Sequence, residues 1–145
     1  MPESLDGVLP YDHVRERMSA ARNYWVASVN PNGTPHCRPI WGGWVDDVLY
    51  LEGSPETRTM KNITERGWAS VNLDDGDQVV IVEGPADVVE KMDPAIFERL
   101  ADQMEAKYKA QGYRPESGDG MRRLRPKKAF AWTKFPGDVT RWERD

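Results

Sequence analysis

The sequence predicts an α+β fold that is mainly β, an antiparallel barrel of about six to seven strands with two or three helices. Three observations favour it. Short segments with the two-residue alternation of strands recur along the chain. Several are joined by hairpin-type turn sequences, such as Asn32-Gly33 and Pro136-Gly137-Asp138. Two longer stretches instead repeat apolar residues at helical spacing.

Length and composition limit the class of protein. The 145 residues are expected to form one domain, residues 1–145. No apolar run reaches the roughly 20 residues that cross a bilayer, and the opening MPESLDGVLP lacks the layout of a signal peptide, so we expect a cytoplasmic protein with no membrane association. Cys37 is the only cysteine, which excludes an internal disulfide and a cysteine-rich metal site. A net charge of -4 argues against nonspecific binding to nucleic acid.

The first elements are a helix and a hairpin. Asp12 is placed to cap a helix that runs to about Arg22. Residues 24–29 then alternate as a strand. The turn Asn30-Pro31-Asn32-Gly33 follows, and because Asn and Gly tolerate a positive φ, we expect the next strand to pair antiparallel with this one.

A second strand is predicted over residues 34–45. Pro35 and Pro39 cannot donate to a ladder, so this strand is expected to lie at an edge or to be bulged, with unpaired backbone free to face a ligand. The turn Asp46-Asp47 then leads to a third strand, residues 48–52.

A helix start follows the third strand. Ser54 is expected to be the N-cap, with Pro55 as the first helical residue and Glu56 as a first-turn acid. Polar side chains then fall on one face of this helix at helical spacing: Arg58, Lys61, Asn62 and Glu65. Two cations near a helix N-terminus are typical of a phosphate site, whereas a solvated charged face is the alternative that spacing leaves open.

The second half of the chain continues the pattern. Asp93 is predicted to cap a helix that begins at Pro94 and ends near Lys109. Residues 111–126 are polar, contain Gly and Pro, and are predicted to be a functional or mobile loop. The remaining strands are predicted over residues 68–73, 78–89, 127–134 and 139–142.

Three segments carry a resemblance to a known family: YWVASVNPNGTPHCRPIWGGWVDDVLYLEGSPETRTMKNI, then WASVNLDDGDQVVIVEGPADVV, then AFAWTKFPGDVTRW. Their order, over nearly the whole chain, resembles the pyridoxamine 5'-phosphate oxidase-like family in its flavin/deazaflavin oxidoreductase branch. The resemblance implies a split β-barrel, usually a homodimer, with FMN or the deazaflavin coenzyme F420 bound in clefts between the two subunits.

The resemblance also implies a cofactor site. The ring system would lie against backbone groups of the second strand, at Arg38, Pro39, Ile40 and Trp41. The phosphate end would lie at Gly53, Ser54, Arg58, Lys61 and Asn62. Near the C-terminus, Arg141-Trp142 occupies the place from which an aromatic or basic residue commonly reaches the partner subunit's cofactor. Thr59 is a departure, since many relatives carry a second consecutive cation there, and this weakens the anion site.

These features predict an oxidoreductase that uses F420 or FMN for hydride transfer to a small planar or conjugated acceptor. The sequence does not decide between F420 and FMN, because Arg122, Arg123 and Arg125 either bind the polyglutamate tail of F420 or form a solvated loop. The alternative is a noncatalytic protein that binds or carries a flavin, haem or similar ligand on the same barrel.

No catalytic acid or base is assigned from the sequence. His36 and Cys37 alternate to opposite faces of the second strand, so they cannot form a dyad. Cys37 is interpreted as a buried small hydrophobic residue, with a nucleophile as the alternative, and His36 either contacts a substrate or is a hydrogen-bonded structural histidine.

Overall fold

The computed structural model describes residues 3–6 and 8–144. Within this part of the chain there are three α-helices, and none of them has both the length and the apolar composition needed to cross a bilayer. They are α1 (Tyr11–Ala20), α2 (Arg58–Arg66) and α3 (Pro94–Lys107). A short 3-10 turn, Lys109–Gln111, follows α3.

The described residues also form ten strands. They are β1 (Glu3–Asp6), β2 (Tyr24–Val29), β3 (Pro35–Ile40), β4 (Gly42–Val45), β5 (Val48–Leu51), β6 (Trp68–Asn72), β7 (Val79–Val88), β8 (Arg122–Leu124), β9 (Lys128–Trp132) and β10 (Thr140–Glu143).

The long strand β7 joins two antiparallel sheets. The larger sheet has the order β1-β10-β9-β7-β6-β2-β3, so β3 lies at one edge. The end of β7 also pairs with β8, which pairs with β5, which in turn pairs with β4. Gly84 lies between the part of β7 that pairs with β9 and the part that pairs with β8, and a side chain is excluded there because its Cβ would be 2.2 Å from the carbonyl oxygen of Arg125. The sheets curl into a split barrel within an α+β fold, which confirms the predicted fold class.

Two hydrophobic clusters fill the spaces between the sheets and the helices. The larger one joins α1 and α2 to the inner face of the large sheet and includes Val14, Met18, Tyr24, Met60, Ile63 and Trp142. The smaller one lies between α3 and the β4–β5 hairpin and includes Tyr50, Leu100, Met104 and Tyr108. These clusters fix the positions of α2 and the β3–β4 connection, which border the groove described below.

The strand predicted over residues 34–45 is two strands that belong to different sheets. The break lies at Trp41, between β3 and β4. A side chain at Gly42 is excluded, because its Cβ would lie 2.2 Å from the carbonyl oxygen of Tyr50. The end of α3 holds this point: the hydroxyl of Tyr108 accepts from the N–H of Gly42 at 3.0 Å, and the ammonium of Lys107 donates to the Gly42 carbonyl at 2.6 Å.

The predicted start of the second helix is also wrong by several residues. Helix α2 begins at Arg58, with Thr57 as its N-cap residue. The Ser54 carbonyl accepts from the N–H of Thr57 at 3.1 Å, so Ser54-Pro55-Glu56 form a turn before the helix. For α3 the prediction is confirmed, since the Asp93 carboxylate accepts from the N–H of Ala95 at 2.8 Å.

The segment predicted to be a loop, residues 111–126, contains the strand β8. It pairs with β5 on one side and β7 on the other, so its backbone is held by the ladders rather than by its own alternation. The guanidinium of Arg123 contacts the carboxylate of Asp87 at 2.8 Å. Arg122 is buried and donates to Gly120 and Thr64, and these arginines therefore have partners within the barrel.

Candidate functional site

A groove of about 720 Å³ lies between the edge strand β3 and the N-terminus of α2. Three segments line it: the end of β3 with the following Trp41, the connection from β5 to α2, and the first turn of α2. The lining residues are His36, Arg38, Pro39, Ile40, Trp41, Glu52, Gly53, Thr57, Arg58, Thr59 and Met60.

The free edge of β3 offers a restricted set of backbone groups. On its other side β3 pairs with β2, and Pro39 lies opposite Trp25 while Pro35 lies opposite Val29. Because proline cannot donate, these are the non-hydrogen-bonded pairs of the ladder, and alternation gives Cys37 the same orientation. The edge therefore presents three carbonyls, at Pro35, Cys37 and Pro39, but a single N–H, that of Cys37.

The side chains of His36, Arg38 and Ile40 project from the inner face of β3. They lie opposite Ser28, Val26 and Tyr24, whose side chains are all buried. Helix α2 packs against this inner face of β3. Arg38 remains exposed and donates to the carbonyl of Cys37 at 2.8 Å, so its guanidinium lies along the free edge.

The first turn of α2 supplies unpaired backbone donors to the groove. The first N–H groups of an α-helix have no intrahelical acceptor, and the side chain of Thr57 does not cap them. Arg58, the first helical residue, is exposed, and its guanidinium lies 3.4 Å from the side-chain oxygen of Asn62. Helix dipole, free N–H groups and a guanidinium together favour an anion at this end.

His36 lies beside the same helix turn. Its Nδ1 is 3.5 Å from the hydroxyl of Thr59, whose side chain is 3% exposed. Burial lowers the pKa of His36, and the positive charges of Arg38 and Arg58 lower it further. The imidazole is therefore mainly neutral at pH 7, because its ordinary pKa of about 6.5 is already below that pH.

Aromatic and small residues form the other end of the groove. The indole of Trp41 stacks on the ring of Tyr108, with centroids 4.2 Å apart and planes 12° from parallel. Gly53 packs against Met60, and a Cβ there would lie 2.9 Å from the Met60 methyl. Glu52 is the one acidic residue among the described lining residues. A flat ligand can lie here between an aromatic wall and backbone.

The structure brings six of the sequence-predicted site residues together on this groove: Arg38, Pro39, Ile40, Trp41, Gly53 and Arg58. Ser54 lies just before the helix, in the turn closed by Thr57. Lys61 does not line the groove, and its ammonium is 3.7 Å from the carboxylate of Glu56.

Asn62 lies behind the groove. It is fully buried, and its side-chain amide donates to the Ser28 hydroxyl at 3.1 Å and to the Asn30 side chain at 3.0 Å. Asn62 therefore ties α2 to β2 and the β2–β3 turn, and its amide reaches a ligand only through Arg58.

The placement of Trp142 is a correction. Its indole is 2% exposed and packs in the core of its own chain, 5.5 Å from the ring of Tyr11. A side chain buried in this way has no surface to offer to the cofactor of a second subunit. The adjacent Arg141 is exposed.

Thr57, Thr59, Met60 and Glu52 are lining residues that the sequence reasoning did not select. The signal that places His36 with Arg38 and Ile40 is visible in the sequence, because the three alternate along one strand. The contribution of Thr57 depends on where α2 begins, and the misplaced N-cap concealed it.

The fold and the groove define a class of protein: a split barrel in which a strand edge faces the N-terminus of a helix across an open groove. The sequence model of one family, pyridoxamine 5'-phosphate oxidase, matches residues 11–133. The chain belongs to this family. Comparison with curated protein sequences gives no match.

Several solved structures share the fold. An FMN-binding, pyridoxamine 5'-phosphate oxidase-related protein from Nostoc punctiforme is 15% identical, with a TM-score of 0.65 over 95% of this chain and 92% of that one. A heme-binding protein from Mycobacterium smegmatis is 17% identical, with a TM-score of 0.69 over 94% of this chain and 59% of that one. An F420 reductase is 18% identical, with a TM-score of 0.55 over 90% and 93%. At these identities the likeness is one of fold alone.

Proposed function

We propose that this protein is an oxidoreductase that binds FMN or F420 in the groove and serves hydride transfer to a small planar or conjugated acceptor. The observation that carries the proposal is the groove itself, where the free edge of β3 faces the uncapped, arginine-bearing start of α2. Membership of the family supports it, as do neighbours whose names state FMN binding and F420 reductase activity.

The residues present fit such a cofactor. A volume of about 720 Å³ is in the usual range for small-molecule sites. Arg58 and the free N–H groups of α2 would hold the phosphate, with Arg38 nearby. The N–H of Cys37 and the carbonyl of Pro39 would pair with the polar edge of the ring system.

These hydrogen-bond donors and acceptors separate the role of the cofactor from that of the protein. When bound, a flavin or deazaflavin supplies the hydride chemistry. The chain's own residues bind and orient it: Arg58 fixes the phosphate end, the edge of β3 fixes the ring, and Trp41 closes the far end. Because these residues along the walls of the groove hold the cofactor, the substrate that accepts the hydride would bind on the open side of the groove.

We also propose that a second copy of the chain covers that open side. The outer face of the large sheet, next to β3, exposes Trp25 by 36%, Val29 by 42% and Trp68 by 46%. Trp25 lies opposite Pro39, which lines the groove, so the exposed apolar face and the groove share a border. A partner that buries these tryptophans would also shield the groove from water.

Light scattering at low protein concentration tests the dimer. We expect twice the chain mass for the wild type and for Val8→Lys, which adds a charge at an exposed residue before α1. The double variant Trp25→Lys with Trp68→Lys should give a folded monomer. A wild-type monomer, or an unaffected double variant, would contradict the shared groove.

Fluorescence titration with FMN and with F420 tests the cofactor. Arg58→Ala removes a charge-assisted contact to the phosphate and should weaken binding about tenfold or more. Lys91→Ala removes an exposed cation outside the groove and is the matched control, with affinity expected within about threefold of wild type. Binding of neither cofactor, or equal affinities in both variants, would refute the proposal.

A noncatalytic ligand carrier is the second candidate, and the imidazole of His36 on the groove wall favours it, because imidazole is a common ligand of haem iron. Absorbance titration with hemin separates the two functions. A Soret shift that disappears in His36→Ala, together with no binding of FMN or F420, would establish the carrier.

A further inference from the structure

The anion end of the groove combines two arginines with a histidine. Arg38 and Arg58 are permanently charged, and the imidazole of His36, which can be protonated, lies between them. The second residue of α2 is Thr59, which is uncharged. Its hydroxyl faces Nδ1 of His36 at 3.5 Å.

The position of Thr59 is fixed. The side chain is 3% exposed, it lies in the first turn of α2, and that helix is tied to β2 by the buried amide of Asn62. Thr59 can therefore orient the imidazole through Nδ1, and Nε2 has no hydrogen bond to another described residue.

We propose that His36, oriented by Thr59, supplies a third cationic contact to the cofactor's phosphate beside Arg38 and Arg58, so that affinity rises as pH falls. This inference rests on the proposed function, and it assigns a specificity-determining role to a residue that the resemblance does not select.

The charges around His36 determine whether the affinity for the cofactor rises or falls with pH. The charged groups that face His36 are Arg38 on its own strand and Arg58 on α2, while the residue opposite on β2, Ser28, is uncharged. Without ligand, burial and both arginines lower the His36 pKa. A bound phosphate brings negative charge to the same place and raises that pKa. At a pH between the His36 pKa of the free protein and the higher His36 pKa of the complex, binding takes up a proton. The affinity can then change by at most about tenfold per pH unit.

The test measures the dissociation constant of FMN, or of F420 if only F420 binds, between pH 8 and pH 6. Wild type should bind about tenfold more tightly at pH 6 than at pH 8. Calorimetry in two buffers of different ionisation enthalpy should show proton uptake on binding. The phosphate of FMN itself titrates near pH 6, which acts in the opposite direction and is common to every variant.

Two variants and one ligand isolate the histidine. His36→Gln keeps a hydrogen-bonding side chain but cannot become charged, so its affinity should not rise at low pH. Thr59→Lys adds a permanent cation and should bind more tightly at pH 8 with a flatter pH profile. Riboflavin, or for F420 the deazaflavin nucleus without phosphate, should show no tightening at low pH. Thermal melting confirms that each variant is folded.

The outcomes are distinguishable. If wild type and His36→Gln share one pH profile, the role of His36 is refuted and the cofactor site stands. If the compounds without phosphate tighten at low pH as much as FMN does, His36 does not act on the phosphate. If neither cofactor binds at any pH, the proposed function fails, and this inference fails with it.

Discussion

Replacing Tyr108 by Phe should destabilise the protein by about 2 kcal/mol, because it removes one hydroxyl and nothing else. That hydroxyl donates to the carbonyl of Arg22 at 2.7 Å and accepts from the N–H of Gly42 at 3.0 Å. The ring is fully buried and stacked on Trp41, and Phe preserves both. The loss is therefore polar, and it falls on the point where the chain passes from β3 to β4.

The magnitude follows from two unpaired groups. A hydrogen bond contributes about 1 kcal/mol net, and a buried N–H left without an acceptor costs about 1–3 kcal/mol. The carbonyl of Arg22 is nearer the surface and regains water, so about 2 kcal/mol is the expected sum. For a chain of 145 residues this corresponds to a fall in Tm of about 6 °C.

Urea unfolding and thermal melting at one fixed protein concentration measure this loss. Tyr50→Phe is the matched control: Tyr50 is 5% exposed in the same hydrophobic cluster, and its hydroxyl has no hydrogen bond to another described residue. We expect that variant to remain within about 0.5 kcal/mol of wild type. Equal stabilities for the two variants would refute the argument that Tyr108 holds Gly42.

Three further predictions concern single positions. Gly43→Ala places a Cβ 2.5 Å from the side chain of Leu100 and should cost about 1–3 kcal/mol in urea unfolding, whereas no loss would show that α3 shifts freely. Asn62→Ala should lower stability by about 1–3 kcal/mol, and a loss of FMN affinity without any loss of stability would contradict its structural role. Asp87→Asn should be less stable than wild type at pH 7. Since Arg123 holds the pKa of Asp87 below its usual range, that difference should vanish as pH falls through the lowered pKa, and a constant difference down to acid pH would contradict it.

The elements that the sequence predicted well carry their signals locally. Strand β2 has the predicted bounds because its alternation and the following Asn-Gly turn lie within a few residues of each other. Helix α3 begins as predicted because Asp93 and Pro94 are adjacent cap signals. Such local preferences need no knowledge of what packs against them.

The elements that were missed depend on distant residues. The break at Trp41 is held by Lys107 and Tyr108, more than sixty positions further along the chain. Strand β8 exists because β5 and β7 offer ladders on both sides. The start of α2 at Arg58, with Thr57 as its N-cap residue, was hidden by the cap signals of Ser54-Pro55 a few residues earlier.

The candidate site divides in the same way. Helical spacing selected Arg58 and the family resemblance selected Arg38, and the structure places both on one groove. Trp142 was misplaced because position near the C-terminus carries no information about burial, and Thr59 was read only as a missing cation. Its pairing with His36 requires that α2 pack against β3.

The alternating prolines of β3 also determine what kind of guest this edge accepts. An added peptide strand needs a regular series of donors and acceptors from its host, and here proline has removed the donors at residues 35 and 39. A compact heterocycle needs only one donor and one or two acceptors, which Cys37 and its neighbours supply. The two missing donors thus make this edge a poor host for a peptide strand, whereas the groups that remain match the few that a small ring requires.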